Sequence, residues 1–592
     1  MIYRFEDCEL DTERFELRRG GTAVGIEPQV LELLRFFVEN PDRLVSREEL
    51  FETVWKGRIV SDATLSSRIK AARQAIGDDG RAQAVIRTVH GRGFRFMAPI
   101  VAGAAEPAPA TPAPAVGGLL EAGRGALSCG NWEEAYSQLW QAQVGGALAA
   151  DDMEMLAEAA WWTSRLDERL QLLERAYELH MREGRETRAA LASMLLAEQH
   201  GYMGAQSVAS GWLRRAERML QPHPNSIEHG YLVRLQGRLA FEREGNFDRA
   251  VALAEQAYAL GVRFRDRDLE MVTLLDQGAA LVAKGELEPG FALMDEASAA
   301  AMGGELGAMA TGRIYCNMLD MCMRLGDYRR AVEWDQEAER WCSRVGHSSG
   351  FPGVCRVRRA EIRRLTGAWP EAETEARRAC VELEKLRSFA APAFYELGEL
   401  SLGRGELDAA ETAFRRAHEL GREPQPGLAR LRLAEGNRDA ARALMGQALG
   451  VPGGNRLERA RILPAGVEIA LAAGDTDGAQ AAAQELRDIA AAFGMDSLRA
   501  AALGADGTLA LSQGDAQGAA ARLREACRLW QENGLPFEEA RARLQLGAAY
   551  RRLGVGDIAG MEIAASAAVF KRLGASLELR RAAALADGGE PD

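Results

Sequence analysis

The sequence predicts a small α+β domain over residues 1–100, followed by a long all-α repeat array over residues 119–592. Strand and helix patterns alternate only in the first of these segments, and turns centred on glycine recur through the second. Between them, residues 101–118 alternate proline with alanine and threonine, a composition typical of a semi-stiff linker. At 592 residues the chain is too long for one hydrophobic core, which supports this division.

Short strands are predicted at the two ends of the first domain. Alternation of apolar and polar residues, bounded by turn signals, marks five runs. They are Ile2–Phe5, Phe15–Leu17, Ala23–Ile26, Val85–Val89 and Phe94–Met97. The last two are joined by His90-Gly91-Arg92-Gly93, in which the glycines allow a tight turn, and Phe94 and Phe96 are predicted to lie in the core.

Two helices are predicted between these groups of strands. Pro28 opens the first helix, whose broad apolar face ends before Asn40-Pro41. Ser46 and Glu49 have the spacing of a capping box and predict the start of the second helix.

A third helix is predicted from Ser61 or Asp62 to Gly77. Its inward positions are Leu65, Ile69, Ala72 and Ile76. Its opposite face shows Ser66, Ser67, Arg68, Lys70, Ala71, Arg73 and Gln74. Cations beside small residues suit a helix that approaches DNA, whereas a solvated helix face is the usual interpretation of charges at helical spacing.

The charge distribution favours the first interpretation. The chain as a whole carries a net charge of −13. Residues 1–55 carry −6, residues 56–100 carry +6, and the remaining 492 residues carry −13. One short basic segment inside an acidic protein is the electrostatic pattern expected of an element that contacts nucleic acid.

The segment from Trp55 to Phe96 resembles the effector domain of the OmpR/PhoB family. The family's wing motif, T-V-x-G-x-G-Y/F-R-F, is matched from Thr88 to Phe96, and the similarity extends over residues 1–100. The resemblance implies a winged helix-turn-helix domain that binds double-stranded DNA in a transcriptional regulator. The complete context of strands, helices and wing outweighs the solvated-face alternative.

The resemblance also implies which residues contact DNA. Ser67, Arg68 and Ala71 match base-facing positions, although the family commonly has a long polar residue in place of Ala71. Three further positions on the helix match base or phosphate contacts, and three in the wing could reach phosphates or a minor groove. The predicted DNA-binding residues are Thr64, Ser66, Ser67, Arg68, Lys70, Ala71, Arg73, Thr88, His90 and Arg92.

Two further expectations concern partners at the DNA. The segment from Trp55 to Val60 has two interpretations of equal weight, a contact with RNA polymerase or a simple connecting loop. By the family resemblance, direct-repeat half-sites would fit a head-to-tail homodimer on DNA.

The long C-terminal segment repeats itself. Turns of the Gly-Asp, Gly-Asn or Gly-Glu type, or similar to them, precede an Ala-rich helix at Gly130, Gly245, Gly285, Gly326, Gly367, Gly405, Gly436, Gly474 and Gly514. The glycine allows a left-handed conformation, Asp or Asn after it caps the next helix, and a small alanine about five residues later permits close helix packing. From Gly245 onward these turns are 31 to 41 residues apart, and self-similarity at this period predicts an α-solenoid. It resembles the stretched tetratricopeptide-like repeats of bacterial regulators, including MalT-like proteins.

The leading hypothesis is a one-component regulator whose solenoid binds an unknown protein, peptide or small molecule on its concave surface. A scaffold or adaptor, with the winged helix as a protein-binding or degenerate module, is the alternative. A cryptic enzyme has little support, because the sequence contains no G-x-x-x-x-G-K-[ST], G-x-S-x-G or H-E-x-x-H motif. We therefore expect no catalysis, no cofactor and no metal.

The remaining expectations concern location and cysteine chemistry. No stretch approaches the ~18 apolar residues of a membrane span, and the N-terminus lacks the apolar core of a signal peptide, so a cytoplasmic protein without membrane contact is expected. No receiver domain precedes the winged helix, which argues against a phosphoaspartate switch. The eight cysteines are interpreted as small, buried apolar side chains. A redox role for the group from Cys316 to Cys355 is the alternative.

Overall fold

The computed structural model describes residues 2–12, 16–26, 28–54, 62–78, 83–89, 92–103, 116–146, 148–345, 350–450 and 455–588. The chain forms two units, Met1–Ala113 and Pro114–Asp592, which we call the N-terminal unit and the helical region. No helix among the described residues is long and apolar enough to cross a membrane.

The N-terminal unit opens with an antiparallel sheet. Its strands are β1 (Ile2–Phe5), β2 (Cys8–Asp11), β3 (Glu16–Arg19), β4 (Thr22–Val24) and β8 (Val101–Gly103), in the order β4-β3-β2-β1-β8. The first predicted strand is confirmed, and the next two are shifted by one or two residues. Strand β2 escaped prediction because its four residues, CELD, follow β1 after only two turn residues.

Strand β8 corrects the predicted start of the linker. Val101–Gly103 pairs with β1, with Arg4 opposite Val101 and Ile2 opposite Gly103. This pairing uses the open edge of β1, which the local composition of residues 101–103 does not reveal. At the other end of the predicted linker, the first helix of the helical region already begins at Val116.

Three helices and a second, smaller sheet complete the N-terminal unit. The helices are α1 (Pro28–Glu39), α2 (Arg47–Thr53) and α3 (Asp62–Ala75). The sheet consists of β5 (Leu44–Val45), β6 (Ile86–Val89) and β7 (Gly93–Phe96), in the order β5-β7-β6. Pro28 opens α1 as predicted, and the Ser46 hydroxyl accepts a hydrogen bond of 3.1 Å from the Glu49 amide at the start of α2.

One apolar core holds these elements together. Phe96 lies at its centre, with ring centroids 5.1 Å from Phe5 and 6.5 Å from Phe37. Phe94 and Phe96 are both buried, as predicted. Because residues from β1, α1 and β7 meet here, the position of the third helix and of the terminal hairpin depends on this core.

The helical region contains 25 α-helices among its described residues. They are α4 (Val116–Ser128), α5 (Trp132–Gly145), α6 (Ala150–Trp162), α7 (Leu166–Arg182), α8 (Glu186–Tyr202), α9 (Gln206–Leu220), α10 (Ile227–Leu239), α11 (Phe247–Phe264), α12 (Arg267–Lys284), α13 (Leu287–Met302), α14 (Ala308–Leu325), α15 (Tyr328–Val345), α16 (Gly350–Leu365), α17 (Trp369–Glu382), α18 (Arg387–Arg404), α19 (Leu407–Glu419), α20 (Gly427–Ala434), α21 (Arg438–Leu449), α22 (Arg456–Ala472), α23 (Thr476–Phe493), α24 (Asp496–Ser512), α25 (Ala516–Glu532), α26 (Pro536–Arg552), α27 (Gly556–Leu573) and α28 (Ser576–Ala586). A π-helical turn, Ala240–Glu244, follows α10.

The turns between these helices confirm the predicted repeat. All nine predicted turn glycines have φ between +61° and +96°. The following Asp or Asn side chain caps the next helix at Asn246, Asp327, Asn437, Asp475 and Asp515. Asn131 makes no such side-chain bond, which is the exception among the predicted caps.

Small residues bring the paired helices close together. The residue five positions after the turn glycine is a buried alanine in most repeats, as predicted. These alanines are Ala135, Ala250, Ala331, Ala372, Ala410, Ala441, Ala479 and Ala519. Consecutive helices thus pack in pairs, α4 with α5 through α26 with α27, and in most pairs the first helix also contacts the first helix of the next pair. This arrangement is a tetratricopeptide-like α-solenoid.

Candidate nucleic-acid interface

Helix α3 presents the polar face that the sequence predicts. The four predicted inward residues are all at most 3% exposed, which anchors the helix on the core. On the opposite face Ser66, Ser67, Lys70 and Gln74 are exposed. Arg68 and Ala71 are partly buried, and Ala71 packs against the edge of the core. The freely accessible part of this face is therefore narrower than the predicted set, and Lys70 is its exposed cation.

Arg73 has an internal role that the sequence analysis missed. Its Nε and Nη2 atoms donate to the carbonyl oxygen of Ile86 at 3.0 and 2.7 Å, and Nη2 also donates to the Thr88 hydroxyl at 2.8 Å. The side chain is 12% exposed. Burial lowers the pKa of Arg73, and nearby Asp78 opposes that shift. Arg73 thus ties α3 to strand β6, and its predicted contact with DNA stays a prediction.

Asp78 completes the connection between α3 and β6. Its carboxylate accepts hydrogen bonds of 2.8 Å from the amides of Ala84 and Ile86, and lies 3.9 Å from Arg73. Its side chain is fully buried. The only sequence signal for this role was its place directly after Gly77, which has a φ of +68°. Asp78 and Arg73 together fix where the hairpin starts relative to the helix.

Gly93 shapes the hairpin formed by β6 and β7, which we call the wing. Its φ is +130°, and a Cβ atom there would lie 2.0 Å from the carbonyl oxygen of Val45. Only glycine fits this conformation and this approach of β5. Gly93 is therefore required by the close approach of β5 as well as by the turn of the wing motif.

The wing carries two cations that the sequence analysis did not select. Arg87 and Arg95 lie directly opposite each other on neighbouring strands, Arg87 exposed and Arg95 partly buried. Like charges at directly opposite positions destabilise a sheet, so an anion between or beside them would be favourable. The available signal was the alternation in Ile86–Val89, which turns Ile86 inward and Arg87 outward.

The other predicted wing residues have different environments. The Thr88 hydroxyl is bound to Arg73, and the Thr88 amide donates to the Gln83 side chain at 2.7 Å, so Thr88 belongs to the internal network. Arg92 is exposed. His90, the Thr64 side chain and the segment from Trp55 to Val60 lie outside the described residues.

These positions form a surface suited to a polyanion. Lys70 on α3 and Arg87 and Arg92 in the wing are exposed, and none of them forms an ion pair with a described residue. Ser66 and Ser67 present short side chains beside Lys70. Hydroxyls and unneutralised cations on a helix and an adjacent hairpin are the groups that contact bases and phosphates.

In the helical region, many arginines are neutralised by carboxylates of other repeats. Several arginines on the first helices of the pairs bind carboxylates on other first helices, two to four pairs away in the chain, and we call these contacts the inner ion pairs. They are Glu198–Arg313, Arg324–Glu458, Glu361–Arg461, Glu468–Arg541 and Glu468–Arg581. Burial alone raises the pKa of Glu198, but Arg313 and Arg234 bring it to about 2. At these positions the arginines are neutralised by carboxylates of the chain itself.

One cluster in the helical region has the spacing of metal ligands. Ligand atoms of Asp151, Glu154 and His180 lie within 4.8 Å of one another. Two arginines already bind its carboxylates, however. Arg185 contacts Asp151 through both guanidinium nitrogens, at 3.0 and 2.7 Å, and Arg188 contacts Glu154. The arrangement is accounted for by ion pairs, with Glu154 also 3.0 Å from His180.

The family model and the curated relatives match the N-terminal unit. Residues 21–96 match the family described as "Transcriptional regulatory protein, C terminal". The transcriptional activator CadC of Escherichia coli (strain K12) is 32% identical over 87 residues, which are 14% of this chain and 17% of CadC. PhoB of Klebsiella pneumoniae, a phosphate regulon transcriptional regulatory protein, is 31% identical over 98 residues, 16% of this chain and 42% of PhoB.

The chain thus matches less than half the length of these relatives. The solved DNA-binding domain of E. coli CadC is 28% identical with a TM-score of 0.16, covering 17% of this chain and 94% of that domain. The N-terminal unit contains a winged helix-turn-helix domain of the OmpR/PhoB type, as its motifs predict.

Proposed function

We propose that this protein is a sequence-specific, DNA-binding transcriptional regulator of the one-component type. The observation that carries the proposal is the exposed polar face of α3 beside a basic wing, inside a domain of the OmpR/PhoB type. In this proposal α3 enters the major groove, and the wing lies against the adjacent backbone. Lys70, Arg87 and Arg92 neutralise phosphates, while Ser66 and Ser67 lie close enough to contact base edges.

Arg73 and Thr88 act indirectly in this proposal. Because Arg73 binds both Ile86 and Thr88, it holds the wing at a fixed distance from α3. Fixed spacing matters because the helix and the hairpin have to contact DNA at the same time. We therefore infer that Arg73 is a positioning residue, in addition to any contact with a phosphate.

The helical region is proposed to bind the regulatory partner, which is a protein, a peptide or a small molecule. A partner that approaches the first helices of the pairs meets the inner ion pairs, and has to replace or bridge them. Charged ligands are therefore expected to be favoured over apolar ones. The proposed activity is binding alone and includes no catalytic step.

The experiment is a fluorescence-anisotropy titration of the full chain with a labelled duplex from upstream of its own coding region. It is run at two salt concentrations and repeated with a scrambled duplex of the same length. Lys70→Ala and Arg87→Ala are each expected to weaken binding and to reduce the slope of log K against log salt by about 1. Lys571→Ala is the matched control, because Lys571 is an exposed lysine at the far end of the helical region.

Arg73→Ala separates positioning from phosphate neutralisation. It is expected to weaken binding with little change in the salt slope, and to speed hydrogen exchange in β6. Binding that does not depend on salt, or that Lys571→Ala weakens as much as Lys70→Ala, would contradict the proposal. The scaffold or adaptor interpretation would then be favoured over the DNA-binding regulator.

A further inference from the structure

Three cysteines from three successive helices meet in the interior of the helical region. Cys316 lies on α14, Cys342 on α15 and Cys355 on α16. The Sγ atoms of Cys316 and Cys355 are 3.6 Å apart, which is van der Waals contact for sulfur. These two residues are 39 positions apart in sequence, so one repeat of the solenoid brings them together.

The three thiols differ in access to solvent. Cys355 is 1% exposed and Cys342 is 6% exposed, whereas Cys316 is partly exposed. Hydrogen bonding to Cys316, together with burial, raises the pKa of Cys355. Hydrogen bonding to Cys355, followed by burial, raises the pKa of Cys342. The two inner thiols therefore stay protonated, and Cys316 is the thiol that a small reagent can reach.

We propose that Cys316 and Cys355 form a reversible disulfide when the protein meets a peroxide. The Sγ–Sγ distance has to shorten from 3.6 Å to about 2.05 Å, which side-chain rotation and a small approach of α14 and α16 can supply. The link would join the first helices of two consecutive pairs. The helical region would then respond to peroxide, and this response does not depend on the proposed DNA-binding function.

The chemistry balances with one peroxide for each disulfide. The Cys316 thiolate attacks a peroxide oxygen, the O–O bond breaks, and Cys316 becomes a sulfenic acid with release of water or an alcohol. The Cys355 sulfur then attacks the sulfenic sulfur; the S–S bond forms and hydroxide leaves, taking up the Cys355 proton as water. The two sulfurs together lose two electrons, which reduce the peroxide. A thiol reductant reverses the reaction by disulfide exchange.

The test is a disulfide map of the full, reduced chain after treatment with hydrogen peroxide. Trypsin is expected to release Ile314–Arg324, which contains Cys316 and Cys322, and Val345–Arg356, which contains Cys355. The expected result is a linked pair of these peptides, with fragmentation placing the link on Cys316. Two of the eight thiols are lost to alkylation, and both return after reduction.

Two variants separate this site from general oxidation. Cys316→Ala is expected to abolish the linked peptide and leave Cys355 open to alkylation after unfolding. Cys380→Ala, at another partly exposed cysteine, is expected to leave the link unchanged. Oxidation of Cys316 to an unlinked sulfinic acid in the wild-type chain would overturn the proposal, as would a link from Cys322 instead of Cys316. Neither result depends on whether a variant folds, because both are read in the wild-type protein.

Discussion

The exposed cations of α3 and the wing differ from the arginines of the inner ion pairs in how their charge is used. In the N-terminal unit, Lys70, Arg87 and Arg92 face solvent on α3 and the wing. In the helical region, arginines such as Arg313 and Arg461 are turned toward carboxylates of distant repeats. The first arrangement leaves positive charge available to a polyanion, and the second uses it to join successive parts of the solenoid.

The difference shows why composition alone is a poor guide to binding. Arginine is abundant throughout the chain, yet its accessibility depends on whether a carboxylate of the same protein lies opposite. Glu361, at 2% exposed, binds both Arg358 and Arg461 and so neutralises two cations. A basic stretch therefore indicates a nucleic-acid interface only where the fold leaves it unneutralised.

The largest expected effect comes from breaking an inner ion pair. Glu361→Gln keeps the side-chain size but removes the buried carboxylate that neutralises both Arg358 and Arg461. We expect the free energy of unfolding to fall by about 2–3 kcal/mol, measured by urea denaturation followed by circular dichroism. Glu174→Gln, at an exposed glutamate on α7, is the control and should change stability by less than about 0.5 kcal/mol. A loss at Glu361 as small as that of the control would show that the inner ion pairs do not hold the repeats together.

Acid should weaken the helical region for the same reason. Burial raises the pKa of Glu198, Glu361 and Glu468, but neighbouring arginines outweigh burial and bring each pKa to about 2 from an ordinary value of 4.5. A carboxylate with a depressed pKa stabilises the folded state fully above its unfolded pKa, and this contribution is lost as pH falls through the folded pKa.

Stability is therefore expected to be level above about pH 5 and to fall between about pH 4.5 and 2, by about 3 kcal/mol for each of the three carboxylates, on the order of 1.4 kcal/mol per pKa unit. Urea denaturation at several pH values measures it. Glu361→Gln should make the slope shallower, since one of the three carboxylates no longer titrates. A curve that stays flat to pH 3 would be inconsistent with the assigned pairs.

In the N-terminal unit, a substitution at Gly93 is expected to change the conformation of the wing without removing a charged side chain. Gly93→Ala places a methyl group against the Val45 carbonyl and forces a backbone conformation that alanine rarely adopts. We expect a local cost of about 1–3 kcal/mol, seen as faster hydrogen exchange in Ile86–Val89 of the full chain, together with weaker DNA binding. Gly25→Ala, with no atom within 4 Å of the added Cβ, is the control. Equal exchange in both variants would mean that Gly93 does not hold the wing.

The smallest effect compares two repeat turns. The Asn437 side chain accepts a 3.1 Å hydrogen bond from the amide of Ala440, whereas Asn131 makes no side-chain cap bond. Asn437→Ala should lower the free energy of unfolding by about 1 kcal/mol, and Asn131→Ala should change it little. Thermal unfolding of the two variants side by side measures the difference. Equal losses would show that the glycine, and not the cap, determines the stability of these turns.

Local features were predictable because they depend on a few neighbouring residues. The nine turn glycines, the Ser46 cap and the burial of Phe94 and Phe96 all agree with the sequence analysis. Among the candidate DNA contacts, the exposure of Ser66, Ser67, Lys70 and Arg92 was foreseen. The hydrogen bond between Arg73 and Thr88 was not foreseen, because an arginine and a threonine at these positions are equally typical of residues that contact DNA.

The sequence by itself determined the two-part organisation, the winged-helix motif and the repeat, since left-handed glycines, caps and apolar periodicity act over a few residues. Only the tertiary structure decided which charges remain available. Strand β8 pairs with a strand about 100 residues earlier, and Arg324 binds Glu458, 134 positions away. Such partners are brought together by the closure of the sheet and by the stacking of repeats. No local pattern encodes them, so the tertiary structure alone determines which arginines neutralise carboxylates and which face solvent.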